Sequence, residues 1–356
     1  MATMLKDFEV PIGEAVQHVR DILLAGLVPM LRGSPGITKS AVIHDIAEEL
    51  NYKVIDNRFA GFDPTDMNGF PGLDMAAGVA RYYPLENFPL EGDELPINPK
   101  TGKQYAGWLV FCDELTSAPE MVQAASYKFF LDRMVGQRPL HPQAHICAAG
   151  NHDDDQAVTV AMSTALISRL VNLSVIEDLP HWMNWAQTGN NIRSLITSYL
   201  EWRPDAFYTF DNKNPDQPFA CPRSWEFVNR LLNVWNGNPM GKLVPIAGCI
   251  NAIATEFVAF AGMRAKLPKK AEVLSNPETA PVPSSAEPGP LYALTGALGD
   301  WFDKDNAEVM MKYIVRVPAE FQIVTMRNIT RRQGMAVMGL PAVSAWMKAN
   351  ADDFVG

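Results

Sequence analysis

Leu31–Leu50 reads LRGSPGITKSAVIHDIAEEL, a glycine-rich turn that runs directly into an amphipathic helix. Within it, Gly33-Ser34-Pro35-Gly36-Ile37-Thr38-Lys39-Ser40 nearly matches the phosphate-cradling pattern G-x-x-x-x-G-K-[ST]. Such a loop works because successive backbone N–H groups and a helix N-terminus converge on anionic oxygens. Gly33 and Gly36 supply the tight turn and Pro35 stiffens it. Lys39 is in register to reach a β/γ-phosphate, and Ser40 to offer its hydroxyl to Mg²⁺. Thr38 stands where the last glycine belongs. A helical backbone at that position accommodates threonine; only a left-handed conformation demands glycine.

The flanking sequence predicts a three-layer α/β domain. Trp108–Cys112 and His145–Ala149 are continuous apolar runs, the signature of strands buried on both faces. Leu27–Leu31, Tyr52–Ile55 and Val171–Val175 read as further parallel strands. Ser117-Ala-Pro-Glu120 has the spacing of a capping box and predicts a helix running through Phe129. After residue 180 strand signals nearly vanish. The spans 182–202, 224–235, 244–267 and 291–354 read as helices. Residues 268–290 carry six prolines without apolar periodicity and predict a solvated loop or linker.

Two carboxylates complete a candidate site. Leu109–Cys112 leads into Asp113 and Glu114, which places a Mg²⁺-coordinating aspartate and a water-activating glutamate at a strand's C-terminal edge. The run at 145–149 ends in Gly150-Asn151, setting an amide at the same edge, where it can hydrogen-bond an attacking water or a γ-phosphate. Arg169 precedes the last strand, and Arg223 opens a helix in the second half.

In this order the motifs resemble those of the MoxR family of AAA+ ATPases, over roughly residues 10–235. That family's loop tolerates a residue other than glycine before the lysine. The resemblance implies an AAA+ P-loop fold: an α/β/α core with a parallel sheet over 1–178, an all-α lid over 179–267, and a helical extension over 291–356 beyond the proline-rich stretch. It implies that ATP and Mg²⁺ are bound by Gly33–Ser40 and Asp113. In the same reading Glu114 is the Walker B acid, Asn151 sensor 1, Arg169 the arginine finger and Arg223 sensor 2. Arg133 and Arg138 compete for the finger, and Asn151-His152 departs from the family's usual Asn-Pro. Phe62–Leu90 resembles the helix-2 insert, and Leu131–Leu140 the hairpin before sensor 1. A ring follows by the same resemblance, commonly hexameric, remodelling a protein substrate or a separate partner with a von Willebrand factor A domain.

Composition sets limits on this. The chain has 356 residues, 47% apolar and 20% charged, with a net charge of −10, which argues against a general nucleic-acid or anionic-membrane binder. Cys112, Cys147, Cys221 and Cys249 form no C-x-x-C pair, consistent with a reducing compartment. The expected location is cytoplasmic, since no apolar run of about 18 residues is present. Two alternatives stand beside the remodelling reading: a nucleic-acid motor of the same clade, and a nucleotide-gated scaffold with negligible turnover. The first has only Arg81, Arg133 and Arg138 on its hairpins to draw on, and Glu114 speaks against the second.

Overall fold

Ten strands are found among the described residues: β1 (Val10–Pro11), β2 (Pro29–Arg32), β3 (Tyr52–Arg58), β4 (Phe70–Asp74), β5 (Val79–Tyr83), β6 (Gly107–Asp113), β7 (Met134–Val135), β8 (Arg138–Pro139), β9 (Ala144–Gly150) and β10 (Val171–Ile176). The structure is a computed structural model and describes residues 8–152, 155 and 160–350. Two compact units divide the chain, Met1–Asp178 with Asn212–Pro215, and Leu179–Asp211 with Asp216–Gly356.

In the first unit six strands form one parallel sheet in the order β1-β10-β2-β9-β6-β3. Parallel pairing requires crossover connections. The helix Ile12–Leu24 joins β1 to β2, and Lys39–Glu49 joins β2 to β3. All seven residues of β6 are buried, and β9 is buried except at His145, as their apolar runs predict. The strand expected at Leu27–Leu31 starts later, at Pro29, because Ala25, Gly26 and Leu27 close off the preceding helix; their N–H groups donate to Asp21, Leu23 and Ile22. Register brings the C-terminal ends of the central strands level: Arg32 lies opposite Gly150, and Cys112 opposite Ala148. The fold class is therefore α/β with a parallel sheet, followed by a helical unit.

Outside the sheet, Pro64–Asn68 is a short helix, with the Thr65 N–H donating to the Asp63 carboxylate at 2.6 Å. The antiparallel hairpin β4–β5 follows it. A second, smaller hairpin is β7–β8. The capping box expected at Ser117–Glu120 does not form. Leu115–Ser117 is a 3₁₀ turn, and Pro119, with φ −54°, occupies the N-cap of Glu120–Ala125 without a side-chain hydrogen bond. A second helix, Tyr127–Asp132, continues the path.

The second unit is helical among its described residues. The helix expected over 182–202 is two, Leu179–Gln187 and Ser194–Trp202, parted where Gly189 takes φ +69°. Asn251, at φ +50°, likewise parts Leu243–Ile250 from Ile253–Ala265. Tyr199, Trp225, Phe257 and Phe260 centre one core, and Phe302, Met310, Tyr313 and Ile329 another. Residues 268–290, expected as a solvated loop or linker, are mostly exposed but carry structure of their own. They carry a helix, Lys270–Ser275, with Val273 fully buried. The Tyr313 hydroxyl donates to the Pro281 carbonyl at 2.5 Å, and Arg316 to that of Pro277 at 2.7 Å. Prolines lack an N–H but keep a carbonyl, so a proline-rich segment can pack wherever outside donors reach it.

Candidate functional site

The turn after β2 places Lys39 at the start of the helix Lys39–Glu49 and folds it back over its own loop. Its ammonium donates to the Gly33 carbonyl at 2.6 Å, the Ser34 carbonyl at 3.0 Å and Asn151 Oδ1 at 3.2 Å. The side chain is buried, with 8% of its surface exposed. A cation held at three oxygens can exchange any of them for phosphate oxygens with little loss. Gly33 is required sterically, since a Cβ there would lie 2.5 Å from the Val175 carbonyl oxygen. Ile37 is buried, with its Cδ1 2.6 Å from the same position, so its side chain packs beneath the loop rather than facing a ligand.

Thr38 does not keep a helical backbone. It sits at φ 72°, ψ 19°, in the left-handed region that favours glycine. For a β-branched residue that conformation costs about 1–2 kcal/mol, and strain of this kind clusters at functional sites. Thr38→Gly removes the clash while loosening the unfolded chain by about 0.5–1 kcal/mol. The expected result is a net gain of up to ~1 kcal/mol, read as slower hydrogen exchange along Lys39–Glu49. Faster exchange there would show that the threonine is not strained.

Two strands across the sheet, at the end of β6, Asp113 Oδ2 accepts from Ser40 Oγ at 2.9 Å. Hydroxyl and carboxylate thus share one point beside the loop, a donor pair suited to Mg²⁺ held jointly with substrate phosphates. Among the described residues, no group of three or more His, Cys, Asp or Glu is arranged to hold a metal by itself. Asp113 also accepts the Glu114 N–H through Oδ1 at 2.9 Å. Glu114 takes φ 58°, a second left-handed residue at this edge, and its side chain is 43% exposed. Asn151 is fixed from behind, its N–H donating to Thr116 Oγ1 at 3.0 Å. The glycine-rich loop, Ser40, Asp113, Glu114 and Asn151 therefore meet at the C-terminal edge of three adjacent strands, β2, β9 and β6. Ligands of open α/β sheets bind at such an edge.

Two further groups belong to this edge: Arg58, which motif reading missed, and Asp155, an acid that sequence offers only as an alternative to Glu114. Arg58 ends β3, in register with Asp113. Its guanidinium lies 3.3 Å from Glu114 Oε1 and 4.0 Å from Asp113 Oδ2. Asp155 is buried and accepts from Ser34 Oγ at 3.0 Å and from the His152 N–H at 3.1 Å, tying the loop to the segment after β9. Burial lowers the His152 pKa from the ordinary 6.5, and Arg32 and Lys39 push the same way against Asp155.

The two arginines stand differently. Arg169 packs its guanidinium 5.4 Å from the centre of the Tyr127 ring and donates to the Ala165 carbonyl at 2.5 Å, contacts within its own neighbourhood rather than with the loop. Arg223 belongs to the second unit, exposed on the first turn of Pro222–Val234. That turn is fixed by the Cys221 N–H donating to Ser224 Oγ at 2.8 Å.

No family model matches the chain, and no curated protein matches it. Among solved structures, a protein of Cytophaga hutchinsonii described as a candidate ATPase is similar at 11% identity and a TM-score of 0.34, over 96% of this chain and 82% of that one. NtrX from Brucella abortus is similar at 11% identity and a TM-score of 0.34, over 96% of this chain and 68% of its own. Among the described residues no helix is long and apolar enough to cross a membrane.

Proposed function

We propose that the chain is a Mg²⁺-dependent ATPase of the AAA+ type, nearest in its motifs to the MoxR family, and that it works as a ring remodelling a partner protein. The observation that carries this reading is the single cluster formed by Lys39, Asn151, Ser40 and Asp113 at the sheet edge. The loop Gly33–Ser40, through those of its backbone N–H groups that face the ligand, and the Lys39 ammonium bind the triphosphate. Ser40 and Asp113 would hold Mg²⁺, which when bound supplies charge neutralisation across the phosphate oxygens. Glu114 takes the proton of the attacking water, and Asn151 orients that water. Arg169 acts on the site of a neighbouring subunit, and Arg223 acts from the helical unit, whose residues 179–267 serve as the lid and 291–356 as its extension.

A protein partner, including a separate chain with a von Willebrand factor A domain, suits the net charge of −10 better than a phosphate backbone does. The hairpin cations add little to a nucleic-acid reading: Arg81 pairs with Asp74 at 3.0 Å, and Arg133 turns inward to donate to the carbonyls of His141 and Ala144.

The test combines phosphate release with native mass spectrometry. ATP turnover that stops on chelation of Mg²⁺, together with a hexameric ring, is the expected result. Mixing inactive Arg169→Ala with inactive Lys39→Ala should restore measurable turnover, because mixed rings pair an intact loop with an intact arginine. Absence of turnover in every assembly state would sink the ATPase reading. An active Arg169→Ala protein would remove that residue from the site and leave Arg133 and Arg138 as candidates.

A further inference from the structure

The helical unit holds a cavity of about 740 Å³, whose walls include Arg193, Arg264 and Arg332 but only one carboxylate, Asp300. Asp300 is fully committed. It accepts from the Ser194 hydroxyl, from Arg264 at 2.9 Å, and lies 3.5 Å from Arg332. Arg332 is buried and pinned by Asn190 Oδ1 at 2.8 Å, the Ile192 carbonyl at 3.2 Å and Thr197 Oγ1 at 3.1 Å, while its Nε is buried with no acceptor. Arg193 spends only Nε, on Asn233 at 2.7 Å, and lays its guanidinium against Gly237, where a Cβ would come within 2.7 Å of Nη1.

The charges do not balance. Arg264 and Arg332 lie in the last turns of Ile253–Ala265 and Ala319–Gln333, where they offset helix C-termini. In the other direction, Ser194 and Leu195 bring the positive end of Ser194–Trp202 to the same wall, with no side chain capping it. After the dipoles and Asp300 are counted, roughly one to two units of positive charge remain. Burial, the largest cause, and Arg264 push the Arg332 pKa below the ordinary arginine range, and Asp300 and Glu201 only partly oppose them. An ion-pair staple between helices needs neither three guanidiniums nor an open volume; a packed core would close around it.

We propose that this cavity binds a small organic oxyanion carrying two or more negative charges, a phosphate ester or a polycarboxylate. Guanidinium forks match both groups bidentately. The volume exceeds that of a bare ion and falls in the range of small-molecule sites, and Ile192, Leu195 and Met240 offer apolar wall to an organic body. The proposal is independent of the ATPase reading.

The test is calorimetry on the full chain carrying Lys39→Ala, which silences the glycine-rich loop. Pyrophosphate serves as the phosphate probe and citrate as the carboxylate probe, with ionic strength held constant by chloride. One saturable site per chain is expected for at least one probe, and the tighter probe identifies the anion. Adding Arg193→Ala, a partly exposed position, should weaken that binding about tenfold or more without changing circular dichroism. Arg264→Gln should act in the same direction. No saturable binding of either probe would overturn the site, and so would equal affinity in the Arg193→Ala chain.

Discussion

Lys39→Ala should weaken ATP binding by about 100-fold or more. The lysine is a side-chain cation bonded into the glycine-rich loop, and its ammonium already holds three oxygens at 2.6–3.2 Å. Losing a charge-assisted contact to a multiply charged phosphate costs about 2–3 kcal/mol, and each 1.4 kcal/mol is tenfold in affinity. The fold should survive. The Ser34 carbonyl and the Asn151 amide are partly exposed, and there water can replace the ammonium. Calorimetry with Mg·ATP, alongside circular dichroism, makes the comparison. A folded Lys39→Ala protein that binds ATP as tightly as the parent would remove the loop from nucleotide binding. The reading of Ser40, Asp113 and Glu114 would fall with it.

What the sequence made legible has a common physical cause. β6 and β9 are buried on both faces, so burial writes an uninterrupted apolar run into the chain, and both strands could be located within one residue. The loop is legible because close backbone approach forces glycine at Gly33, while the lysine and serine are needed at fixed offsets. Other features lie in pairings that no local pattern encodes. Arg58 reaches Glu114 only because β3 lies in register with β6, placing Arg58 opposite Asp113. A cation at the end of a strand adjoining an acidic strand end was the available signal, but strand adjacency has to be known first. Asp155 meets Ser34 across 121 positions of sequence. Thr38 illustrates the opposite limit. Threonine carries no preference for the left-handed region, so its conformation is imposed by the turn it completes. Only motif order points to Arg169, and its neighbours, Tyr127 and Ala165, owe nothing to that order.

Glu114→Gln should leave ATP binding unchanged and slow hydrolysis by about 10²-fold or more, the scale of a lost general base. Glutamine keeps the size of the side chain and an oxygen that can accept from Arg58, but it cannot take a proton from water. Folding should be indifferent to the change. The Arg58–Glu114 pair is solvent-exposed, with side chains 60% and 43% accessible, and exposed pairs contribute about 0.2–1 kcal/mol. Nucleotide affinity should also hold, because Asp113 rather than Glu114 carries the bond to Ser40. The two substitutions therefore separate binding from chemistry: Lys39→Ala fails to load, whereas Glu114→Gln loads and stalls. Single-turnover hydrolysis measures the rate, and native mass spectrometry should find the ring retaining ATP. Turnover within tenfold of the parent would transfer the base to another acid. Asp155 is a poor replacement, since both of its oxygens are taken by Ser34 and the His152 N–H. Asp154 lies outside the described residues, and an Asp154→Asn chain is the next measurement in that event. A Glu114→Gln protein that neither loads nor turns over would instead assign Glu114 to nucleotide binding, with the base elsewhere on the sheet edge.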